Sequence, residues 1–198
     1  MRKDRWTKAF GIKRPQVFDP APLCFLIFEE DDIRMNNNLL ILGAGQFGLM
    51  VKEIAESMGR FEKIAFLDDS NHMAIGKLME YEKFLCEYSN AIVAIGNPYV
   101  RLSYTQKLEA AGFRIASIIS PVAYVAPSAI LMNGAVIEPM AVVQANTTIS
   151  LCCIVSSGAV VRHNAFLEEG CHLDCNAVAM SGCVVPARTK VNACEVYR

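Results

Sequence analysis

Histidine is scarce in this chain, with three in 198 residues, so imidazole chemistry is confined to His72, His163 and His172. An excess of one charge is lacking too. The 19 lysines and arginines balance 20 acidic residues, which argues against bulk nucleic-acid binding. No apolar run approaches the roughly 18 residues of a membrane helix. Eight cysteines are present, but Cys24, Cys86, Cys152, Cys175 and Cys194 lack the spacing of a disulfide framework, and the chain reads as a reduced, cytoplasmic protein. Cys171, His172 and Cys175 raise the question of a metal. Adjacent residues of a strand point to opposite faces, so no metal is expected there.

What is present is a repeat. From Ile119 to Val196 the chain has a period of six, beginning ISPVAY VAPSAI LMNGAV. The first position is Ile, Val or Leu in every hexad except at Ala179, and the fifth is small until Glu195. One large aliphatic and one small residue per hexad make one flat face of a three-sided coil. Cys153, Cys171 and Cys183 fall at the small fifth position, as compact apolar fillers. Thirteen hexads supply about four coils of a parallel β-helix, each burying its core against its neighbours.

Ahead of the repeat, strands alternate with helices. Leu39–Leu42 reads as a strand running into GAGQFG, and Phe47, Met50, Val51, Ile54, Ala55 and Met58 share one helical face up to Gly59. Lys63–Leu67 reads as a second strand ending at Asp68 and Asp69. Ala91–Ile95 reads as a third, followed by Gly96, Asn97 and a helix to about Ala111. Ile115–Ile118 reads as a fourth. This order calls for a parallel sheet with ligands at the carboxyl ends of its strands. There Gly43 and Gly45 allow backbone amides to approach a phosphate. Asp68 and Asp69 can accept hydrogen bonds from a ribose or base, with Gly96 and Asn97 on the same edge. About 80 residues are too few for a full dinucleotide fold, so a mononucleotide or nucleotide-sugar fits better than NAD.

The expected organisation is an extension over 1–35, an α/β Rossmann-like nucleotide-sugar domain over 36–118, and an all-β left-handed parallel β-helix over 119–198. The basic start MRKDRWTKAFGIKR and the apolar APLCFLIF do not form a signal peptide. The extension reads as poorly ordered, or as an arm packing Phe25–Phe28 on another subunit. Met35, just ahead of the first strand, is a candidate natural start.

The GAG turn, the LDD after the second strand, AIGNP after the third and the run SGAVVRHNAFLEEGCHL resemble NeuD/PglD-type sugar acyltransferases. The resemblance covers about Asn37 to Val196. It implies transfer of an acetyl group from acetyl-coenzyme A to the amine, or in some members a hydroxyl, of a sugar, commonly a nucleotide-activated amino sugar, in a homotrimer with sites between subunits. It places the base on His163, with Asn164 beside it, and a second histidine on His172. Ser156, Ser181 and Gly182 fall on the coenzyme A side, with a backbone N–H near Ser181–Gly182 as the oxyanion donor. Gly43, Gly45, Asp68, Asp69, Gly96 and Asn97 fall on the nucleotide-sugar.

The chain departs from the family pattern in four ways. Asn164 stands where an acid is expected, Ser156 replaces a common asparagine, glycine is absent from every second hexad position, and the chain stops at Arg198 without the family's closing tail. A histidine, with a reference pKa of about 6.5, suits removal of a proton from a sugar ammonium at neutral pH. His172 could bind the thioester carbonyl or the substrate amine. The alternatives are a sialic acid-type O-acetyltransferase and a non-catalytic trimeric nucleotide-sugar scaffold.

Overall fold

The computed structural model describes residues 36–198. The expectations for the extension, including an arm through Phe25–Phe28, lie outside them. Four parallel strands, β1 (Leu39–Leu42), β2 (Ile64–Leu67), β3 (Asn90–Val93) and β4 (Arg114–Ile115), form a sheet in the order β2-β1-β3-β4. Every residue of β1 is fully buried, as a strand covered on both faces must be. Helix α1 (Gln46–Ser57) turns Val51, Ile54 and Ala55 inward. Helix α2 (Pro98–Ala110) starts with proline in its first turn, where a missing N–H costs nothing.

The fourth expected strand divides in two. Arg114–Ile115 closes the sheet, whereas β5 (Ile118–Ile119) already pairs with β8 (Val136–Ile137) of the coiled segment. Ile118 therefore belongs to the first coil, and an uninterrupted apolar run hid the change of direction.

From β5 to β18 (Val196–Tyr197) the chain coils through two-residue strands in three parallel sheets. Each strand pairs with those three strands away, as in Thr148 with Ile130 and Phe166, so one coil takes 18 residues. Ile137, Val143, Ile149, Val155, Val161, Leu167 and Leu173 fill the prism, with Ala135, Ala141, Cys153, Ala159 and Cys171 beside them. These are the first and fifth hexad positions, and the architecture is a left-handed parallel β-helix.

The corners carry a regularity of their own. Every fourth hexad position from Gly134 to Cys194 has positive φ, at Met140, Asn146, Cys152, Asn164, Asn176, Arg188 and Cys194 as well as at glycine. Sheet faces are joined at these left-handed residues, where asparagine and glycine are tolerated best.

The outer faces are unequal. Ile118, Val136 and Ile154, on one face, pack with the α1 core of the first domain. Further down that same face stand His172 and Lys190. Tyr124, Val142, Val160, Val178 and Val196 line a second face in register, with Tyr124 and Val196 exposed.

Candidate active site

The glycines after β1 divide the work. Gly43 has φ +106, and a Cβ there would lie 2.6 Å from the Ala94 carbonyl oxygen. A Cβ on Gly48 would collide with the Gly43 carbonyl oxygen. Both glycines serve strand-helix packing. Gly45 faces open space and precedes α1 with no side-chain cap, so the first amides of the helix stay available to an anion. A shallow cavity of about 460 Å³ opens here, lined by Gly45, Asp68, Ser70, Asn71, His72 and Met73.

Asp68 builds the wall of this cavity. Its Oδ2 accepts from the Ala44 amide at 2.8 Å, and its Oδ1 from the amides of Ser70 and Asn71 at 2.8 and 2.9 Å. The Ala44 amide foremost, then that of Ser70, holds its carboxyl below the ordinary carboxylate range. Asn71, unremarkable in sequence, donates to the Ala44 carbonyl at 2.6 Å and ties the two loops together. Asp69 is exposed and accepts from the Leu78 amide at 3.1 Å. Asn97 caps α2, its Oδ1 accepting from the amides of Tyr99 and Val100 at 3.0 and 3.2 Å. Gly96 is exposed beside it.

Arg101 carries no distinguishing mark in the sequence. Its side chain is 1% exposed and donates to four carbonyls, those of Cys152 at 2.9 Å, Gly170 at 3.0 Å, Ile95 at 2.8 Å and Gly96 at 2.9 Å. Ile95 and Gly96 belong to the loop after β3, Cys152 and Gly170 to prism corners. One guanidinium thus fixes the ligand edge of the first domain to the coils. Burial lowers its pKa from the ordinary arginine value. Pro98 also packs over the bare Cα of Gly170, two residues before His172.

The two histidines lie on opposite sides of one protomer. His163 sits at the corner between β12 (Val160–Val161) and β13 (Phe166–Leu167), whereas His172 opens β14 (His172–Leu173) on the facing sheet. His163 is exposed. Its backbone N–H donates to Gln144 Oε1 at 3.1 Å. Asn164 Nδ2 lies 2.9 Å from His163 Nδ1. Asn164 has φ 59, so its side chain turns back along the corner to meet the ring. In this arrangement the ring proton sits on Nε2, and a half-turn of the amide reverses the tautomer.

His172 is half-buried, with Nε2 3.0 Å from Ser156 Oγ. Ser156 is itself buried and donates to Glu138 Oε1 at 3.1 Å. Burial above all lowers the pKa of His172 from its usual 6.5, with Lys190 and Arg101 adding to the effect and Asp174 opposing it. Asp174 in turn pairs with Lys190 at 2.8 Å, and that hydrogen bond foremost depresses its pKa.

The amide at Gly182 is occupied, which corrects part of the expectation for the oxyanion donor. It donates to the His163 carbonyl at 3.1 Å. The neighbouring Ser181 is exposed, and among the described residues its amide has no hydrogen-bond acceptor. Cys171 points into the prism and Cys175 is exposed. Among the described residues no three His, Cys, Asp or Glu side chains cluster to hold a metal, and no helix is long and apolar enough to cross a membrane.

Residues 38–108 match the family described as the PglD N-terminal domain. The acetyltransferase domain of PglB from Neisseria gonorrhoeae FA1090 superposes with a TM-score of 0.63 at 27% identity, over 82% of this chain and 92% of that one. PerB from Caulobacter crescentus, solved with CoA and GDP-perosamine, superposes with a TM-score of 0.67 at 20% identity, over 81% and 88%. WeeI from Acinetobacter baumannii AYE gives 0.62 at 16%, over 81% and 91%. The last two share the fold. A PglD-type amino-terminal domain running into a hexapeptide prism bears out the resemblance to NeuD/PglD-type sugar acyltransferases.

Proposed function

We propose that the protein transfers an acetyl group from acetyl-coenzyme A to the amine of a nucleotide-activated amino sugar, with His163 as general base. One observation carries this reading. Arg101 bridges the carbonyls of Gly96 and Gly170, and Pro98 packs over Gly170, so a nucleotide held near Gly45 directs its sugar toward His172. The complex of PerB with CoA and GDP-perosamine supports the pairing of donor and acceptor.

The opposed histidines make the site intermolecular. His163 of one protomer meets His172 of the next in a homotrimer, which also covers the apolar face from Tyr124 to Val196. For catalysis the Asn164 amide presents its oxygen to Nδ1–H of His163, which leaves Nε2 bare to take the amine proton. The amine, bound neutral after its ammonium proton passes to solvent, attacks the thioester carbonyl as His163 takes one of its N–H protons, and the Ser181 amide stabilises the oxyanion. Collapse of that intermediate expels the coenzyme A thiolate, which receives the proton from His163. Ser181 and Gly182 form the coenzyme A side of this site, whereas Ser156, buried and bonded to Glu138 and His172, lies behind it.

The test is release of free thiol from acetyl-coenzyme A with a panel of nucleotide-linked amino sugars that includes GDP-perosamine. An acceptor-dependent release that His163→Ala lowers at least about 100-fold supports the reading. Release unaffected by that substitution removes His163 as the base.

A further inference from the structure

Glu138 has no part in the chemistry above, yet it is a buried acid held with care. It is 9% exposed and lies one coil above Ser156. Its Oε2 accepts from the Ser157 amide at 2.9 Å and the Ser157 hydroxyl at 3.1 Å, and its Oε1 from the Ser156 hydroxyl at 3.1 Å. Three donors on two oxygens satisfy a carboxylate well, so the acid is stable where it stands. The chain of contacts continues from Ser156 to His172 Nε2 at 3.0 Å.

The direction of this chain follows from counting hydrogens. A carboxylate only accepts, and a serine hydroxyl carries a single hydrogen. Ser156 gives that hydrogen to Glu138, so its Oγ can only accept from His172. The proton of the neutral imidazole must then sit on Nε2, and Nδ1 is left with its lone pair. Nδ1 has no hydrogen-bond partner among the described residues. No fully buried side-chain nitrogen or oxygen there lacks a partner either, so Nδ1 reaches solvent on the prism face below the first domain.

We propose that Glu138 and Ser156 are positioning residues that lock His172 in the Nε2–H tautomer, so that its Nδ1 accepts an N–H of the acceptor amine rather than donating to the thioester carbonyl. This use of Nδ1 rests on the acetyl-transfer reading; the tautomer does not. A bare Nδ1 cannot hydrogen-bond a carbonyl oxygen, which decides between the two roles open to this ring. With one N–H held by His172 and the departing proton facing His163 of the next protomer, the amine's lone pair is aimed at the thioester. The groups facing His172 are Asp174, Lys190 and Arg101 besides Ser156. The burial that lowers its pKa keeps the ring neutral at pH 7, as an acceptor must be.

Glu138→Gln reverses the chain without changing its shape. The amide oxygen still accepts from Ser157, while the amide nitrogen donates to Ser156 Oγ. Ser156 then turns its own hydrogen toward His172 Nε2, and the ring proton moves to Nδ1. With three histidines in the chain, selective 15N-imidazole labelling reads each tautomer directly in the full-length protein, and His172→Asn assigns the signal. The expected result is Nε2–H in the wild type and Nδ1–H in Glu138→Gln. Ser156→Ala should give a mixture of the two, and unchanged thermal unfolding of the Gln variant should show that it folds. On the responding acceptor, Glu138→Gln should lower kcat at least about tenfold and leave the KM for acetyl-coenzyme A unchanged. A wild-type Nδ1–H ring, or a tautomer indifferent to Glu138→Gln, overturns the lock. The expected tautomers with no turnover on any acceptor uphold the lock and sink the transfer reading instead.

Discussion

Arg101 is the side chain on which the joint between the two domains depends, and removing its donors gives a measurable prediction. Arg101→Met keeps most of the apolar stem and abolishes the hydrogen bonds to Cys152, Gly170, Ile95 and Gly96. A net contribution of about 1.5–3 kcal/mol for each charged hydrogen bond would sum to an unrealistic total. The guanidinium, 1% exposed, gave up its hydration with no carboxylate beside it, which offsets much of that gain. Gly96 is exposed, so water can satisfy the carbonyls at that end. The buried carbonyls of Cys152 and Gly170 remain, at roughly 1–3 kcal/mol for each group left unsatisfied. The expected loss is about 3 kcal/mol, or roughly 6–12 °C in Tm for a chain of this size. Calorimetry reads it, with a second signature. The joined domains should unfold together in the wild type, whereas Arg101→Met should unfold in two steps as the sheet domain separates from the coils. A change below about 0.5 kcal/mol, typical of neutral surface substitutions, with one unchanged transition would mean that Arg101 does not hold the joint.

Three further predictions follow from single residues. The folded-state pKa of His172 lies below 6.5. As pH falls through about 6.5 the unfolded chain therefore binds the proton first and stability drops. Wild-type Tm should fall more steeply than that of His172→Asn between about pH 6.5 and about pH 5, and parallel curves would contradict the stated burial. Gly48→Ala places a methyl against the Gly43 carbonyl oxygen. It should cost at least about 2 kcal/mol of stability by chemical denaturation, while Gly45→Ala, facing open space, should cost under about 1 kcal/mol. Met140 is 69% exposed at φ 63, and Met140→Gly should raise stability by about 1 kcal/mol, which a lowered denaturation midpoint would contradict.

The coils were legible because each face of the prism needs one aliphatic and one small residue, and the period of six states both. The left-handed corners were not foreseen, although Gly134, Asn146, Gly158, Asn164, Gly170, Asn176 and Gly182 stand at the fourth position, because Met140, Cys152 and Arg188 obscure that signal. The same corner conformation explains why an asparagine serves at position 164. The relay had a readable trace too. Glu138 and Ser156 share the second hexad position one coil apart, so stacking follows from the period, although nothing local says which atoms meet. Arg101 left no trace. A charged residue in a surface-like helix reads as solvated, and only the docking of Gly170 and Cys152 against it makes it buried. Asp68 was located correctly after its strand, yet its oxygens hold the Ala44, Ser70 and Asn71 amides, because a tight turn presents its own donors before any ligand arrives.

A site assembled from His163 of one protomer and His172 of the next can be rebuilt from two inactive chains by subunit complementation. His163→Ala and His172→Asn chains, each nearly inactive alone, are mixed in equal amounts, dissociated and reassembled. Thiol release is then measured with acetyl-coenzyme A and the acceptor that the panel identifies. In random closed trimers of this 21.8 kDa chain, each interface has about one chance in four of pairing an intact His163 with an intact His172. Activity should recover to about one quarter of the wild-type value. No recovery from reassembled trimers, or a mixture that stays monomeric, would contradict a site shared between protomers.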